Sequence, residues 1–320
     1  MRLSVILAMV VVCVLASFSS SLASQGSYDV SAGLSTAVIQ RADNLWGGGR
    51  RAIKDIRSKP EATTKLRLFP VLEIIVRPGG QEVGHSENLH IAETYLTTNK
   101  EPGAVSAGAK FGFGKNYLDI YGFYFFYASQ WKNPYASYRR PTSTYNYGGK
   151  VTWGNIAGTD LSLSYRLSTI DVDDDLIGAM NRDLRQDGTA HTVTVAYRCH
   201  ITEAVTLTPQ VSYEKGTYDG KSNSYDGYEG SLSLNVRLKR AMVLARAYGG
   251  KNRFERKHPF YGKARDEANA GGLISVTFLR PFDLEKTTIT TAFIAGIGDS
   301  NITFFDRYTI GGLLSFSHRF

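Results

Sequence analysis

The sequence predicts an all-β fold, a single transmembrane antiparallel up-and-down β-barrel of about fourteen strands, with twelve as the alternative. Three observations predict it. Stretches of two-residue hydrophobic alternation recur, with turn residues roughly every 10 to 15 positions. The connections between them alternate between short and long. The chain ends on an alternating strand whose final residue, Phe320, is aromatic.

Residues 1–23 carry a secretory signal. Arg2 supplies a positive start, Leu3–Phe18 an apolar run, and Ser21-Leu22-Ala23 a small-residue cleavage site. Cleavage leaves residues 24–320 as one barrel domain. Cys13 lies in the removed segment, so the mature chain retains Cys199 alone and forms no internal disulfide. Tyr (19) outnumbers Phe (16), which suits side chains with one apolar and one wet end at a membrane surface. The formal net charge is +8, spread along the chain with no basic helix and no zinc spacing. That distribution argues against nucleic acid and for a surface or lumen that attracts anions.

Strands are expected near 30–40, 65–76, 88–97, 104–114, 117–128, 145–156, 159–172, 190–201, 204–216, 226–239, 241–253, 267–280, 286–298 and 304–320. The 88–97 strand has the weakest pattern, and its omission leads to the twelve-stranded alternative. Segment 41–64 reads as an outer loop with one helical turn and a basic run, Arg50-Arg51-Ala52-Ile53-Lys54-Asp55-Ile56-Arg57. Pro70 and Pro209 fall inside strand patterns and predict a bulge or a strand end, because proline donates no ladder hydrogen bond.

Clear alternation appears in 160–167, 192–201 and 228–239. In the last, Tyr228, Leu232, Leu234, Val236 and Leu238 oppose Glu229, Ser231, Ser233, Asn235 and Arg237. The short connections are Lys115-Asn116, Ala157-Gly158, Thr202-Glu203, Arg240 and Pro281–Glu285. The longer ones are 129–144, 173–189, 217–225, 254–266 and 299–303. Short periplasmic turns and long outer loops are the barrel arrangement. In 304–320 the row Ile310, Gly312, Leu314, Phe316, His318, Phe320 is mostly apolar. This closing strand is expected to be recognised by the barrel-assembly machinery through strand addition.

Four ordered stretches carry a resemblance: Arg77-Pro78-Gly79-Gly80, Asn223–Tyr228, His258–Lys263 and Asp299–Asp306. Together they resemble a family of Gram-negative outer-membrane proteins catalogued only as a domain of unknown function. The resemblance implies a barrel in the outer membrane and assigns no catalytic residue.

Candidate site residues follow from the polar rows. Alternation turns Arg67, Lys110, Lys150, Arg166, Arg198, Arg237 and Arg246 inward, against Glu73, Asp160, Glu214 and Glu229, with Asp119 on either face. An outward charge would cost roughly 2–4 kcal/mol at the bilayer midplane. An inward basic excess predicts a channel or binding protein preferring a small anionic solute. The alternative is a closed barrel that contacts envelope partners. Asp171, Asp173 and Asp175 have alternate carboxylates for Ca²⁺, but Leu176 and Arg182 stand where an EF-hand needs Gly and Glu. Pairing of these acids with Arg182 and Arg185 is the favoured expectation. His85, His90, His191, His200, His258 and His318 are scattered, and Gly-x-Ser-x-Gly does not occur, so no catalysis, metal or cofactor is expected.

Overall fold

The structure is a computed structural model that describes residues 27–78, 88–101, 103–125 and 129–320. The signal segment, Cys13, His85, Gly79 and Gly80 lie outside the described residues.

Sixteen strands occur among the described residues: β1 (Ser27–Ala42), β2 (Ala62–Arg77), β3 (His90–Thr97), β4 (Ala104–Phe113), β5 (Asn116–Phe125), β6 (Ser129–Trp131), β7 (Pro141–Gly154), β8 (Leu161–Val172), β9 (Gly188–Tyr197), β10 (Cys199–His200), β11 (Val205–Tyr218), β12 (Tyr225–Arg237), β13 (Ala241–Lys257), β14 (Ala264–Leu279), β15 (Thr287–Ser300) and β16 (Arg307–Arg319). β6 rests only on β7, and β10 continues β9, so fourteen strands form the ring. Every pairing is antiparallel between sequence neighbours until β16 meets β1, from Ser31 opposite Arg319 to Ala42 opposite Tyr308. The fourteen-strand reading therefore holds, with the 88–97 strand present, and the twelve-strand alternative does not.

The outer surface shows why the chain closes on itself. Leu34, Val38, Leu66, Leu68, Ile120, Val151, Leu163, Val193, Val195, Val211, Leu232, Leu234, Ile274, Phe293, Leu314 and Phe316 are all exposed. A continuous apolar exterior of this kind is the lipid-facing band of a membrane barrel. Aromatics rim it, with Tyr213 against Tyr228 at 5.1 Å and Tyr165 against His191 at the long-loop end. Trp153, Tyr197, Phe278 and Phe282 stand at the short-turn end.

The prolines behave differently from each other. Pro209 lies between Gln210, paired with Ala196, and Leu207, paired with Cys199, and there the partner strand breaks into β9 and β10 without a change of register. Pro70 interrupts nothing on its β1 side, where it stands opposite Leu34 in an unbroken ladder. Its nitrogen faces a side on which no described strand pairs, which is why the expected bulge is absent. Segment 43–61 is a loop, but none of it is helical. It is held instead by an Ala52–Tyr138 bridge and by backbone bonds to Ser129, Ser137 and Arg139. The outer loops 173–187, 219–224 and 258–263 are also shorter than expected, whereas 301–306 is not. β13 runs to Lys257 and β14 begins at Ala264, so strands continue beyond the lipid band. β16 starts at Arg307, and Phe304 and Phe305 belong to a short 3-10 turn.

Candidate functional site: a charged inner wall beneath an aromatic lid

The inner face is the polar row of each strand. Arg67, Glu73, Lys110, Lys150, Arg166, Glu214, Glu229, Arg237 and Arg246 all fall on it, opposite to the exposed apolar row. Asp119 joins them, because on β5 the buried positions are Asp119, Tyr121 and Phe123 while Ile120 is exposed. Arg198 and Asp160 sit at the short-turn end, 3.8 Å apart, with His200 3.5 Å from the same carboxylate. Inward charges near the strand ends, absent from the sequence reading, include Asp29, Arg41, Glu93, Arg265, Glu267, Arg307 and Arg319.

Pairing runs along the wall. Arg246 meets Glu229 at 3.2 Å on the adjoining strand. Arg166 meets Glu101 of the β3–β4 turn at 3.5 Å and stacks over Phe123 at 4.6 Å. Lys100 of the same turn bonds Asp119 at 2.7 Å, and Tyr95 donates to that carboxylate as well. Gly148 leaves room for this cluster, since a Cβ there would come within 2.8 Å of the Phe123 ring and 2.0 Å of the Leu167 carbonyl. On the far wall Glu267, almost fully buried, takes Arg265 and Arg307 at 3.3 Å each. Glu214 accepts from Thr192 at 2.8 Å and from Tyr225.

Several inner cations, Lys65 on β2 among them, have no carboxylate partner among the described residues. Lys110 lies over Tyr117 at 4.5 Å, Arg67 lies 5.7 Å from the Trp46 ring, and Lys150 and Arg237 have no ion pair. Arg237 and Arg198 open into a cavity of about 600 Å³ at the short-turn end, which Thr206, Thr208, Asn235 and Ser275 also line.

The opposite end is closed by side chains from loops that meet over the mouth. Tyr135 lies between β6 and β7, His258 between β13 and β14, and Phe304 and Phe305 between β15 and β16. Tyr135 stacks on His258, Phe260 and Phe304 with centroids 5.2, 5.0 and 5.2 Å away. Ile302, Phe304 and Phe305 are buried against Leu45, Ile53, Ile56 and Tyr261. Arg139, 2% exposed, anchors the 43–61 loop by donating to the Asn44 carbonyl at 2.7 Å and to the Arg50 carbonyl, while stacking on Trp131. Burial lowers its pKa to about 10. Burial, helped by Arg265, pushes His258 down to about 3. Burial raises the Tyr135 phenol well above its ordinary value.

The acidic loop is structural. Asp175 caps the short helix Leu176–Met180 through Gly178 N–H and accepts from Gln186. Asp174 pairs with Lys132. Arg185 reaches towards Asp219 instead, so the expected pairing of Arg185 with Asp171, Asp174 or Asp175 is not formed among the described residues. Among the described residues no group of His, Cys, Asp or Glu is arranged to hold a metal.

A family described as "Protein of unknown function (DUF2860)" matches residues 27–313. No curated protein matches the chain. Solved structures with a similar fold include OmpT carrying a loop L8 deletion, an outer membrane protein of Vibrio cholerae, at 7% identity, covering 92% of this chain and 99% of that one, with a TM-score of 0.45. The outer membrane channel DcaP of Acinetobacter baumannii is 10% identical over 92% and 97%, with a TM-score of 0.37. Pseudomonas aeruginosa OprD is 8% identical over 92% and 95%, with a TM-score of 0.38.

Proposed function

Because the chain belongs to the DUF2860 family, whose description assigns no activity, we propose a function from the barrel itself: an outer-membrane protein that passes or binds a small anionic solute. One observation carries the reading. The inner acids are largely engaged by neighbours on the same wall, while Lys110, Lys150 and Arg237 keep no ion-pair partner among the described residues, and Arg237 faces a cavity that Glu203 also lines. Unpaired cations along a wet lumen concentrate anions and raise their flux relative to cations.

Export by the signal segment, docking of the Phe320 strand on the assembly machinery and insertion into outer-membrane lipid belong to the same proposal. Catalysis does not. His191 contacts Tyr165, His200 contacts Thr206, His258 contacts Tyr135 and His318 contacts Thr287, so none of these histidines is set to activate a serine.

The lid favours a second reading, a closed barrel of the envelope, since Tyr135 spans the mouth to His258. Planar-bilayer recording separates the two. The channel reading expects unitary conductance with a reversal potential set by anions in a salt gradient. Silence in the wild type and in lid-opened variants alike would leave the closed barrel.

A further inference from the structure

Among the described residues the wall of the barrel has an opening. β3 pairs with β2 only from Glu73 to Val76, and the chain then turns back into β4. The turn reaches as far as Leu72, whose N–H bonds Thr98 Oγ1 at 3.1 Å and whose carbonyl accepts from Thr98 N–H at 2.9 Å. Beyond it, among the described residues, residues 62–71 of β2 pair with β1 alone. Leu66 and Leu68, 68% and 62% exposed, stand opposite Val38 and Thr36 of β1, level with exposed apolar side chains. The free edge therefore lies within the lipid band, where each backbone group without a partner costs several kcal/mol.

Two features say what covers it. Pro70 projects the same way as Leu72 but has no N–H to offer, which disfavours an added strand. On the inner face of the same strand Lys65 and Arg67 have no carboxylate partner among the described residues. An apolar edge outside and two free cations inside suit one kind of molecule, an amphipathic anion.

We propose that the opening beside β2 binds a long-chain carboxylate from the outer leaflet. Its head group sits on Lys65 and Arg67, and its chain lies over Leu66, Leu68 and Pro70. The route is lateral, so it does not need the aromatic lid to open. It goes beyond the channel reading, because binding at β2 requires no conductance.

The test uses the full-length barrel in a neutral detergent and a photoactivatable laurate. Labelling is expected within residues 62–72, competed by laurate and not by acetate or dodecyltrimethylammonium. The Lys65→Ser/Arg67→Ser variant should bind laurate about tenfold more weakly. Arg240→Ser, a charge removed from a short turn, should bind it unchanged. The folded band on unheated gels reports that each variant is intact. Label spread evenly over the outer face, or unchanged affinity in the double variant, overturns the proposal. So does a Leu66→Cys disulfide dimer in a Cys199→Ser background, which would make a second copy the occupant. Conductance without laurate binding sinks this proposal alone, and laurate binding without conductance sinks the channel alone.

Discussion

Nε2 of His258 lies 2.9 Å from the Tyr135 hydroxyl, joining loops on nearly opposite sides of the barrel. Phe260 N–H approaches Nδ1 at 3.3 Å, which leaves the proton on Nε2 and makes the imidazole the donor to Tyr135. The bond spans the mouth, and the rings of Phe260, Phe304 and Tyr261 surround it. Tyr135→Ala removes both the acceptor and the ring on which three others stack. The loss should approach the roughly 3–5 kcal/mol typical of a large buried aromatic. Unitary conductance should rise in this variant, and a recording that matches wild type would show that the lid does not gate.

The same histidine makes the lid acid-sensitive. Its pKa in the closed lid is about 3, against 6.5 ordinarily, because burial and the Arg265 charge disfavour the proton. Above pH 6.5 open and closed forms are both neutral and the lid has its full stability. As pH falls towards 3 only the open form takes up the proton, so closure weakens by about 1.4 kcal/mol per unit. Open probability should climb as the outer compartment is acidified through this window. His258→Asn should flatten the profile, and a steep profile surviving in that variant would assign the effect elsewhere.

Arg139 holds the exposed basic run of the 43–61 loop in place through the Asn44 and Arg50 carbonyls. Arg139→Ala leaves those buried acceptors unsatisfied, a loss of roughly 1–3 kcal/mol for each group. Trypsin should then cut near Arg50, Arg51 and Lys54 much faster than in wild type, while the barrel stays folded. Equal cleavage rates would mean that the loop is held by its apolar contacts instead.

The strands were legible because lipid on one side and water on the other impose a two-residue period, as in Tyr228 to Leu238. Where both rows are polar the signal fades, so β13 beyond Arg253, with Glu255, Arg256 and Lys257, read as loop. Asp119 stayed ambiguous because its own row is aromatic, with Tyr117, Tyr121 and Phe123 turned inward. The lid left no local trace. Tyr135, His258 and Phe304 are far apart in sequence, and only the closure of the ring brings their loops together. Pro70 neither bulges nor ends β2, against the expectation, because its ladder with β1 needs no N–H from it.

Glu267 is nearly buried between Arg265 and Arg307, at 3.3 Å from each. The two cations face a single carboxylate, and Arg265 also stacks on Phe254 at 3.5 Å and Phe305 at 4.2 Å. Glu267→Gln keeps the shape but leaves the buried Arg265 and the partly exposed Arg307 beside a neutral amide. Breaking a buried pair in this way costs about 3–5 kcal/mol. The urea midpoint for loss of the folded band should fall accordingly, and Phe305, at the base of the lid, should lose protection from hydrogen exchange first. Unlike Arg166→Ser and Arg237→Ser, which should shift the reversal potential towards cations with little change in stability, this variant should lose stability before selectivity changes. If Glu267→Gln altered selectivity at an unchanged midpoint, the triad would be a solvated part of the conducting path, and its burial would have to be reconsidered.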